Sequence, residues 1–240
     1  MIDPSLALVT GAAHRLGRIF ALTLAKNGYA IVLHYHQSSD EAAKTADEIR
    51  ALGAQVYPME ADLTDLEQIW ALFSRIDALN SPLKVLVNSS GRMNHADLRI
   101  VSAEDWDDTL NLNLRAPFLM GQQAAERMKK GGLIVNISDA GLGKTWSGYP
   151  AYLVSKSGLE TLTRLQAKTY APNIRVNAIA PGLAIASKET TTEEWDKLVS
   201  RLPLKHPVSM DELANALLFL LKNDSITGQT IFVDGGYSLS

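Results

Sequence analysis

Short apolar runs alternate with longer amphipathic stretches along almost the whole chain, and this alternation limits the fold more than any other feature. The short runs are nearly continuous Val, Ile and Leu, which is typical of strands buried on both faces. A repeated strand–helix–strand pattern favours right-handed crossovers, and therefore an α/β fold with a mostly parallel, doubly wound sheet covered by helices on both faces. Seven strands are predicted, at Leu6–Thr10, Ala30–His34, Gln55–Met59, Leu83–Asn88, Leu133–Ser138, Ile174–Ala180 and Thr230–Val233.

The helices between these strands are predicted from apolar spacing near 3.6 residues and from start and stop signals. Two capping boxes are expected, Thr64 with Glu67 and Ser209 with Glu212. Other helices are predicted over Gly17–Asn27, Asp40–Leu52, Ser102 to about Lys130, and about Tyr149 to Tyr170. No change in composition marks a linker, so residues 1–240 are expected to form a single domain. Residues 183–208 are the least regular segment and are expected to cover the carboxyl ends of the strands as a substrate-binding region.

Composition and charge exclude several classes of function. The net charge is −3 and no Lys/Arg stripe is present, so a nucleic-acid partner is not expected. The chain has no cysteine, which excludes disulfide and thiolate chemistry and fits a reducing cytosol. No apolar run approaches the roughly 20 residues of a membrane span, and no basic, apolar leader is seen. We expect a cytoplasmic protein with no membrane partner, and we assign no metal site.

The turn after the first predicted strand carries the first functional signal. It reads Thr10-Gly11-Ala12-Ala13-His14-Arg15-Leu16-Gly17 and leads directly into a helix. Gly11 permits a tight turn, Gly17 permits close packing of the helix start, and the free N–H groups of a helix N-terminus bind a pyrophosphate. Because the turn lies between a strand and a helix, it predicts a dinucleotide-binding fold of the Rossmann type; the alternative is a plain β–α turn.

The end of the second strand indicates which dinucleotide is bound. An NAD site normally has an acidic residue here to bind the ribose 2′-hydroxyl. This chain reads Leu33-His34-Tyr35-His36-Gln37-Ser38-Ser39, and the first carboxylate comes only at Asp40. NADPH is therefore favoured, with Arg15, His36 and Ser38 as candidate donors to its 2′-phosphate. The alternative is that His36 and Ser38 are simple strand-end and helix-cap residues.

A Tyr and a Lys four residues apart form the candidate proton-delivering pair. Tyr152 and Lys156 lie on one face of the predicted helix. We expect the ammonium group to lower the pKa of the phenol towards working pH, so that Tyr152 passes a proton while a nicotinamide delivers hydride. Tyr149 is a competing candidate without a Lys at the same spacing, and it is interpreted as pocket wall or core.

In this order, the motifs resemble those of the short-chain dehydrogenase/reductase family over essentially the whole chain. The turn resembles the family's TGxxxGxG loop with Arg15 at the middle glycine, and Asn88-Ser89-Ser90-Gly91 resembles its NNAG segment. Arg175-Val176-Asn177, Pro181-Gly182 and Val233-Asp234-Gly235-Gly236 are similar to later family segments. The resemblance implies that Asn113 holds a proton-relay water near Lys156, and that a homotetramer forms through the long middle helices.

The resemblance also implies a set of cofactor contacts, with Asp62 near the adenine and Pro181–Gly182 beside the nicotinamide. For Asn88 and Asn177, a structural hydrogen bond at a strand end is an equally good interpretation. The implied contacts are Gly11, His14, Arg15, Leu16, Gly17, His36, Ser38, Asp62, Leu63, Asn88, Ser90, Lys156, Pro181 and Gly182.

The chain departs from the common family pattern at one catalytic position. Most members carry a serine thirteen residues before the catalytic tyrosine, and here that residue is Asp139. Ser138 precedes it and should point to the opposite face of an extended strand. An ionised carboxylate only accepts hydrogen bonds and repels a developing alkoxide. Asp139 therefore suits a substrate with N–H donors or a protonatable ring nitrogen, and it should oppose the effect of Lys156 on Tyr152.

Asp139 together with Arg15 resembles the pteridine reductases within this family. The run from His34 to Ser38, the helix around Trp195 and the segment from Val233 to Leu239 are also similar. This resemblance implies NADPH-dependent reduction of a dihydropterin C=N bond to the tetrahydro form. Met93 stands where the subgroup has a stacking phenylalanine, and Trp146 could supply an aromatic face instead; the alternative is a surface or interface tryptophan. The implied substrate contacts are Arg15, Met93, Asp139, Trp146 and Tyr152.

Two other functions are kept open by the sequence. One is a general carbonyl reductase of the same family, acting on a 3-oxoacyl or sugar substrate. The other is a non-catalytic NADPH-binding regulator, which the presence of Asn113, Tyr152 and Lys156 disfavours.

Overall fold

The computed structural model of the protein describes residues 4–186 and 190–240 and contains one seven-stranded sheet. All seven predicted strands are present; two have the predicted bounds, and the other five differ by one residue at one or both ends. Every neighbouring pair is parallel, in the order β3-β2-β1-β4-β5-β6-β7. The strands are β1 (Leu6–Val9), β2 (Ala30–Tyr35), β3 (Val56–Glu60), β4 (Leu83–Asn88), β5 (Gly132–Ile137), β6 (Ile174–Pro181) and β7 (Thr230–Val233).

The order of strands reverses between β1 and β4. The chain winds outwards from β1 to β3, returns to β4 on the other side of β1, and continues outwards to β7. In a doubly wound sheet, ligands bind outside the carboxyl ends of the strands at such a point. The described residues therefore confirm the predicted fold class and place the crevice beyond Val9 and Asn88.

Eight α-helices are present in the described residues. They are α1 (Arg15–Lys26), α2 (Ser39–Ala51), α3 (Leu66–Asp77), α4 (Ala103–Leu110), α5 (Ala116–Arg127), α6 (Pro150–Tyr170), α7 (Thr192–Ser200) and α8 (Met210–Lys222). The long predicted helix from Ser102 is interrupted, because a π-helical turn over Asn111–Arg115 joins α4 to α5, and α5 already ends at Arg127. Two 3₁₀ turns lie at Leu142–Lys144 and Tyr237–Leu239.

One of the two predicted helix caps is wrong. The N-cap of α3 is Asp65, whose carboxylate accepts from the backbone N–H groups of Glu67 and Gln68, and Thr64 instead donates its hydroxyl to Asp62. Both residue types cap helices well, so the choice between neighbours depends on the loop before the helix. The capping box of Ser209 and Glu212 at α8 is confirmed.

Two apolar cores cover the two faces of the sheet. Alternate residues of β1 point to opposite sides: Ala7 and Val9 join the core under α1, α2 and α8, while Leu6 and Leu8 join the core under α3 and α5. All four are fully buried. Burial on both faces explains why the strand sequences show no polar alternation.

No helix within the described residues is long and apolar enough to cross a membrane. The same residues contain no group of three or more His, Cys, Asp or Glu side chains arranged to hold a metal ion.

Candidate active site

The turn between β1 and α1 has the geometry of an anion site. Gly11 has a φ of +62°, in the left-handed region that favours glycine, and a Cβ at Gly17 would overlap the carbonyl oxygen of Gly11. No side chain caps the start of α1 at His14, and its first turn carries no acidic residue. The positive end of the helix dipole therefore meets no competing carboxylate, and the turn fits a dinucleotide pyrophosphate.

The same turn is tied to the end of β4. The Thr10 hydroxyl oxygen accepts hydrogen bonds from the backbone N–H groups of Ser89 and Ser90, at 2.9 and 3.0 Å. A Cβ on Gly11 would lie 3.1 Å from the Ser90 hydroxyl oxygen. Thr10, Gly11 and Ser90 thus border one narrow crevice at the point where the strand order reverses. Arg15, with a φ of 51°, is exposed beside it.

The predicted 2′-phosphate and adenine residues meet at the ends of β2 and β3. His36 Nε2 lies 3.9 Å from Asp62 Oδ2, and both side chains are partly exposed. Asp62 also accepts from the backbone and the hydroxyl of Thr64, at 2.8 and 2.7 Å. Partial burial raises the pKa of Asp62, but these hydrogen bonds and His36 outweigh it and hold the pKa below its usual value. Ser38 stands at the N-cap of α2, as the helix-cap interpretation predicts, but its side chain makes no capping hydrogen bond.

The carboxyl end of β5 and helix α6 bring Asp139, Tyr152 and Lys156 together. The Tyr152 hydroxyl donates to Asp139 Oδ2 at 2.7 Å, and Lys156 Nζ donates to the Ile137 carbonyl at 2.6 Å. Lys156 Nζ lies 5.9 Å from the centroid of the Tyr152 ring. Tyr152 and Lys156 are only 9% and 5% exposed, so their charges interact with little screening by water.

The electrostatics of this cluster correct the expected effect of Lys156. Burial and the neighbouring Asp139 raise the pKa of Tyr152 well above its ordinary value. Burial lowers the pKa of Lys156 to about 8, although Asp139 opposes this. Burial also raises the pKa of Asp139, against its hydrogen bonds from Tyr152 and Gly141 and the charge of Lys156. The prediction that Lys156 lowers the pKa of Tyr152 is therefore wrong. Desolvation and the Asp139 carboxylate determine this pKa, and the phenol is a protonated hydrogen-bond donor at neutral pH.

Ser138 and Asp139 point in different directions, as strand alternation predicts. The Ser138 hydroxyl donates to Glu160 at 3.0 Å, away from Tyr152, whereas Asp139 accepts from Tyr152 and from the Gly141 N–H at 2.6 Å. The carboxylate therefore occupies the position beside the phenol, and the adjacent serine does not replace it.

Asn113 lies in the π-helical turn and faces Lys156 across Gly91. Its amide is clamped by the backbone of Arg92, accepting at 2.8 Å and donating at 2.8 Å, and it also donates to the Ser155 hydroxyl at 3.1 Å. A Cβ on Gly91 would lie 3.5 Å from Asn113 Oδ1 and 3.7 Å from Lys156 Nζ. Asn113 and Lys156 therefore border the same small space.

Comparisons with known proteins agree with this geometry. Residues 11–238 match the sequence model of a family described as enoyl-(acyl carrier protein) reductase. The 3-oxoacyl-[acyl-carrier-protein] reductase FabG of Staphylococcus aureus (strain N315) is 32% identical over 237 residues, which cover 96% of each chain. The chain belongs to the short-chain dehydrogenase/reductase family. Another family relative, the 2-dehydro-3-deoxy-D-gluconate 5-dehydrogenase of Escherichia coli (strain K12), is 34% identical over 247 residues, covering 98% of this chain and 96% of the relative.

Solved structures of the family extend this result to the cofactor. FolM alternative dihydrofolate reductase 1 from Brucella suis, in complex with NADP, superposes with a TM-score of 0.93 and 31% identity, covering 100% of this chain and 97% of that one. A blue fluorescent protein from a metagenomic library, in complex with NADPH, gives a TM-score of 0.91 and 29% identity, covering 98% of each chain. This family member is an NADP-dependent oxidoreductase. The hypothesis of a non-catalytic NADPH-binding regulator is therefore not supported.

Asn88 and Asn177, for which cofactor contact and a structural hydrogen bond were both left open, make hydrogen bonds inside the protein. Asn88 donates to the Asn136 side chain at 2.8 Å, and Asn136 donates to the Thr163 hydroxyl at 2.9 Å. Asn177 donates to the Ile226 carbonyl and accepts from the Gln229 N–H. These contacts favour the structural interpretation of Asn88 and Asn177.

The end of β6 adjoins the catalytic segment of this family fold. The Pro181 carbonyl accepts a hydrogen bond at 3.0 Å from the N–H of Ala140, the residue that follows Asp139. A Cβ on Gly182 would lie 2.6 Å from Asp234 Cα, so glycine is required for the chain to pass there. Pro181 and Gly182 thus border the same crevice from the β6 side. Leu63 is buried behind Asp62, so its side chain lies in the core.

Aromatic side chains form a wall beside Asp139. The Trp146 indole is packed so closely on Gly141 that a Cβ there would overlap it, and the same Cβ would lie 3.1 Å from Asp139 Oδ1. Trp146 is half-buried, whereas Met93 is 45% exposed. Tyr149 meets Trp146 edge-on, with ring centroids 6.2 Å apart, which agrees with its assignment as pocket wall.

Sequence reasoning missed one member of this wall, Tyr237. Its ring centroid lies 6.2 Å from that of Trp146, and burial together with Asp139 raises its pKa despite a hydrogen bond with Trp146. The signal in the sequence was Gly235-Gly236: their φ values of 59° and 83° turn the chain back after β7 and carry Tyr237 to the site.

Proposed function

We propose that this protein is an NADPH-dependent dihydropterin reductase, which reduces a C=N bond of a dihydropterin to the tetrahydro form. The observation that carries this proposal is the hydrogen bond between Tyr152 and Asp139, at the position where most of the family has a hydroxyl. In support, the FolM proteins of Brucella suis and Brucella canis, both solved with NADP, are named alternative dihydrofolate reductases and superpose closely on this chain.

The site residues assigned from the sequence fit NADPH in three groups. Gly11, His14, Arg15, Leu16 and Gly17 would hold the pyrophosphate at the start of α1. His36 and Ser38 would hold the 2′-phosphate, and Asp62 with the backbone of Leu63 would border the adenine. Ser90, Lys156, Pro181 and Gly182 would border the nicotinamide and its ribose, with Asn88 behind them. When bound, the cofactor supplies the hydride.

Asp139 selects the substrate by its hydrogen-bonding character. A 2-amino-pteridine offers N–H donors and a ring nitrogen that gains a proton, and a carboxylate accepts from the former and stabilises the latter. A ketone oxygen instead gains negative charge during reduction, and the Asp139 carboxylate would repel it.

Tyr152 is the proposed proton donor to the substrate. Its phenol is protonated and donates a hydrogen bond to Asp139, so the proton to be transferred lies between these two side chains. Lys156, with a pKa of about 8, can exchange a proton with water, and the second lone pair of Asn113 Oδ1, across Gly91, can accept from that water. We assign the route from solvent through Lys156 to Tyr152.

Arg15, Met93 and Trp146 are the proposed substrate contacts outside the catalytic cluster. Trp146 lies beside Asp139 and can offer the aromatic face that Met93 lacks. Arg15 is exposed next to the pyrophosphate turn and can bridge the cofactor phosphate and the substrate. Residues 183–208 are the proposed substrate-covering segment; residues 187–189 of it lie outside the described residues, and α7 with Trp195 forms its regular part.

A second candidate is a carbonyl reductase acting on a 3-oxoacyl or sugar substrate. It is favoured by the names of two relatives, a 3-oxoacyl-[acyl-carrier-protein] reductase and a 2-dehydro-3-deoxy-D-gluconate 5-dehydrogenase. The two candidates differ at Asp139, where a ketone reductase requires a hydroxyl donor.

The test is an NADPH-oxidation assay with dihydrobiopterin, dihydromonapterin and an acetoacetyl thioester. Wild type should turn over a dihydropterin and not the thioester. Asp139→Ser should lose pterin turnover at least 100-fold, because the acceptor is gone, and Ser138→Ala is the matched control that should retain it. Thioester turnover by wild type with no pterin turnover would establish the carbonyl reductase instead.

We also propose that the protein assembles as a homotetramer through α5 and α6. These helices expose Phe118, Val154 and Leu165, at 41%, 48% and 60%. Single exposed apolar residues are ordinary, but three on adjacent helices form a surface that a second copy would cover. Sedimentation of wild type and of Leu165→Glu tests this assembly, and an unchanged mass in the variant would contradict it.

A further inference from the structure

His34, two residues before the proposed phosphate ligand His36, is buried and uses both of its ring nitrogens. It is 2% exposed on β2. The backbone N–H of Gly11 donates to His34 Nδ1 at 3.1 Å, and His34 Nε2 lies 3.0 Å from the carbonyl oxygen of Ala61. The His34 backbone carbonyl also accepts from the N–H of Ala12 at 2.9 Å. Although His34 belongs to the same sequence run as His36 and Ser38, its ring has no free nitrogen to offer a phosphate.

These two partners select one form of the imidazole. Gly11 N–H is a donor, so Nδ1 must carry a lone pair; the Ala61 carbonyl is an acceptor, so Nε2 must carry the hydrogen. Only the neutral tautomer protonated at Nε2 satisfies both. A doubly protonated ring would place two N–H groups against each other at Gly11. Burial lowers the pKa of His34 to about 4, which keeps the ring neutral at physiological pH.

The two groups that His34 joins both border the cofactor crevice. Gly11 lies in the pyrophosphate turn, and its carbonyl oxygen lies so close to Gly17 at the start of α1 that a Cβ there would overlap it. Ala61 directly precedes Asp62, the residue assigned to the adenine side. One imidazole therefore fixes the distance between the ends of β1 and β3, on either side of the strand that carries His36.

We propose that His34 is a positioning residue for the dinucleotide, which holds the Gly11 turn and the Ala61–Asp62 segment at the separation that NADP(H) requires. This role depends on NADP binding and not on the identity of the reduced substrate. It predicts that loss of the bridge weakens NADH and NADPH binding alike, because the turn and the β3 end contact parts common to both cofactors.

Two ionisable groups influence the titration of His34. His36 opposes protonation of the ring and Asp62 favours it, and both are weaker influences than burial. The bridge should therefore open only in the acid range, and cofactor affinity should fall in a step below about pH 5 that originates in His34. His36 is exposed at the end of the same strand and influences His34, so a variant of each histidine is needed to separate their effects.

The experiment measures Kd for NADPH and for NADH by fluorescence titration, together with kcat at saturating NADPH. His34→Leu should weaken both cofactors by about tenfold, the value of one lost hydrogen bond of ordinary strength, with kcat within twofold of wild type. His34→Asn keeps an acceptor near the Nδ1 position and should recover part of the affinity. The matched control His36→Asn should weaken NADPH and leave NADH unchanged.

Three results would overturn the proposal. One is a folded His34→Leu protein with wild-type Kd values; another is a loss confined to NADPH; the third is an acid step in Kd that persists in His34→Asn. Should His34→Leu fail to fold, ¹⁵N NMR of wild-type histidines still decides, because a ring protonated at Nδ1 near pH 7 would contradict the bridge.

Discussion

Replacing Lys156 by methionine should make the protein more stable while removing its activity. Lys156 is 5% exposed, and burial lowers its pKa from 10.5 to about 8. That difference corresponds to about 3 kcal/mol of unfavourable free energy for holding the charge in the folded state at pH 7. Methionine has a similar length and no charge, so it removes this cost.

Part of that gain is offset by a lost contact. Lys156 Nζ donates to the Ile137 carbonyl at 2.6 Å, and leaving that carbonyl without a partner costs about 1 to 2 kcal/mol. The net gain in the free energy of unfolding is therefore about 1 to 2 kcal/mol, which corresponds to a rise in Tm of roughly 3 to 6 °C for a chain of this size.

The sign of the pH dependence provides a second measurement. Below pH 8 Lys156 is charged in both the folded and unfolded states, and the full cost is present. Between pH 8 and 10.5 the unfolded state binds more protons, so wild-type stability rises relative to the variant. Urea unfolding at pH 7 and pH 10 should show the advantage of Lys156→Met shrinking with pH.

The control is Lys168→Met, an exposed lysine of the same helix, which should change stability by less than about 0.5 kcal/mol. The reasoning fails if Lys156→Met is less stable than wild type at pH 7, or if its difference from wild type is the same at pH 7 and pH 10.

Three further predictions concern the proton donor, the cofactor turn and a helix cap. Tyr152→Phe should lower kcat at least 100-fold and keep Kd for NADPH within twofold, since the phenol contacts Asp139; retained kcat in a steady-state assay would remove Tyr152 as donor. Gly17→Ala should weaken NADPH at least tenfold in a fluorescence titration, because its Cβ overlaps the Gly11 carbonyl, and wild-type affinity would contradict that geometry. Asp65→Ala should lower the free energy of unfolding in urea by about 1 kcal/mol, and by more than Thr64→Ala; the reverse order would restore the cap predicted from the sequence.

The fold was predictable because its strands are buried on both faces and therefore carry their signal in continuous apolar runs. The cofactor turn was predictable from its context, and the opposite directions of Ser138 and Asp139 followed from strand alternation.

Three features of the structure could not be predicted from the sequence: the direction of the Tyr152 pKa shift, the residue that caps α3 and the position of Tyr237. The opposing effect of Asp139 on the pKa of Tyr152 was predicted, but the larger effect of desolvation is not visible in the spacing of Tyr152 and Lys156. Asp65 displaced Thr64 as a cap although both are suitable residue types. Tyr237 reaches the site only through a reversal of the chain after β7, which no local motif of the catalytic helix indicates.

The π-helical turn at Asn111–Arg115 limits where a residue can be deleted from this sequence. A π-helical turn contains one residue more than an α-helical turn of the same position. Removing one residue there would rotate the neighbouring helical residues by about 100° and present a leucine, Leu112 or Leu114, to the Arg92 backbone in place of Asn113. Single-residue deletions are commonly tolerated in loops. A deletion within this turn would replace the hydrogen bonds of Asn113 to the Arg92 backbone by a leucine that can make none.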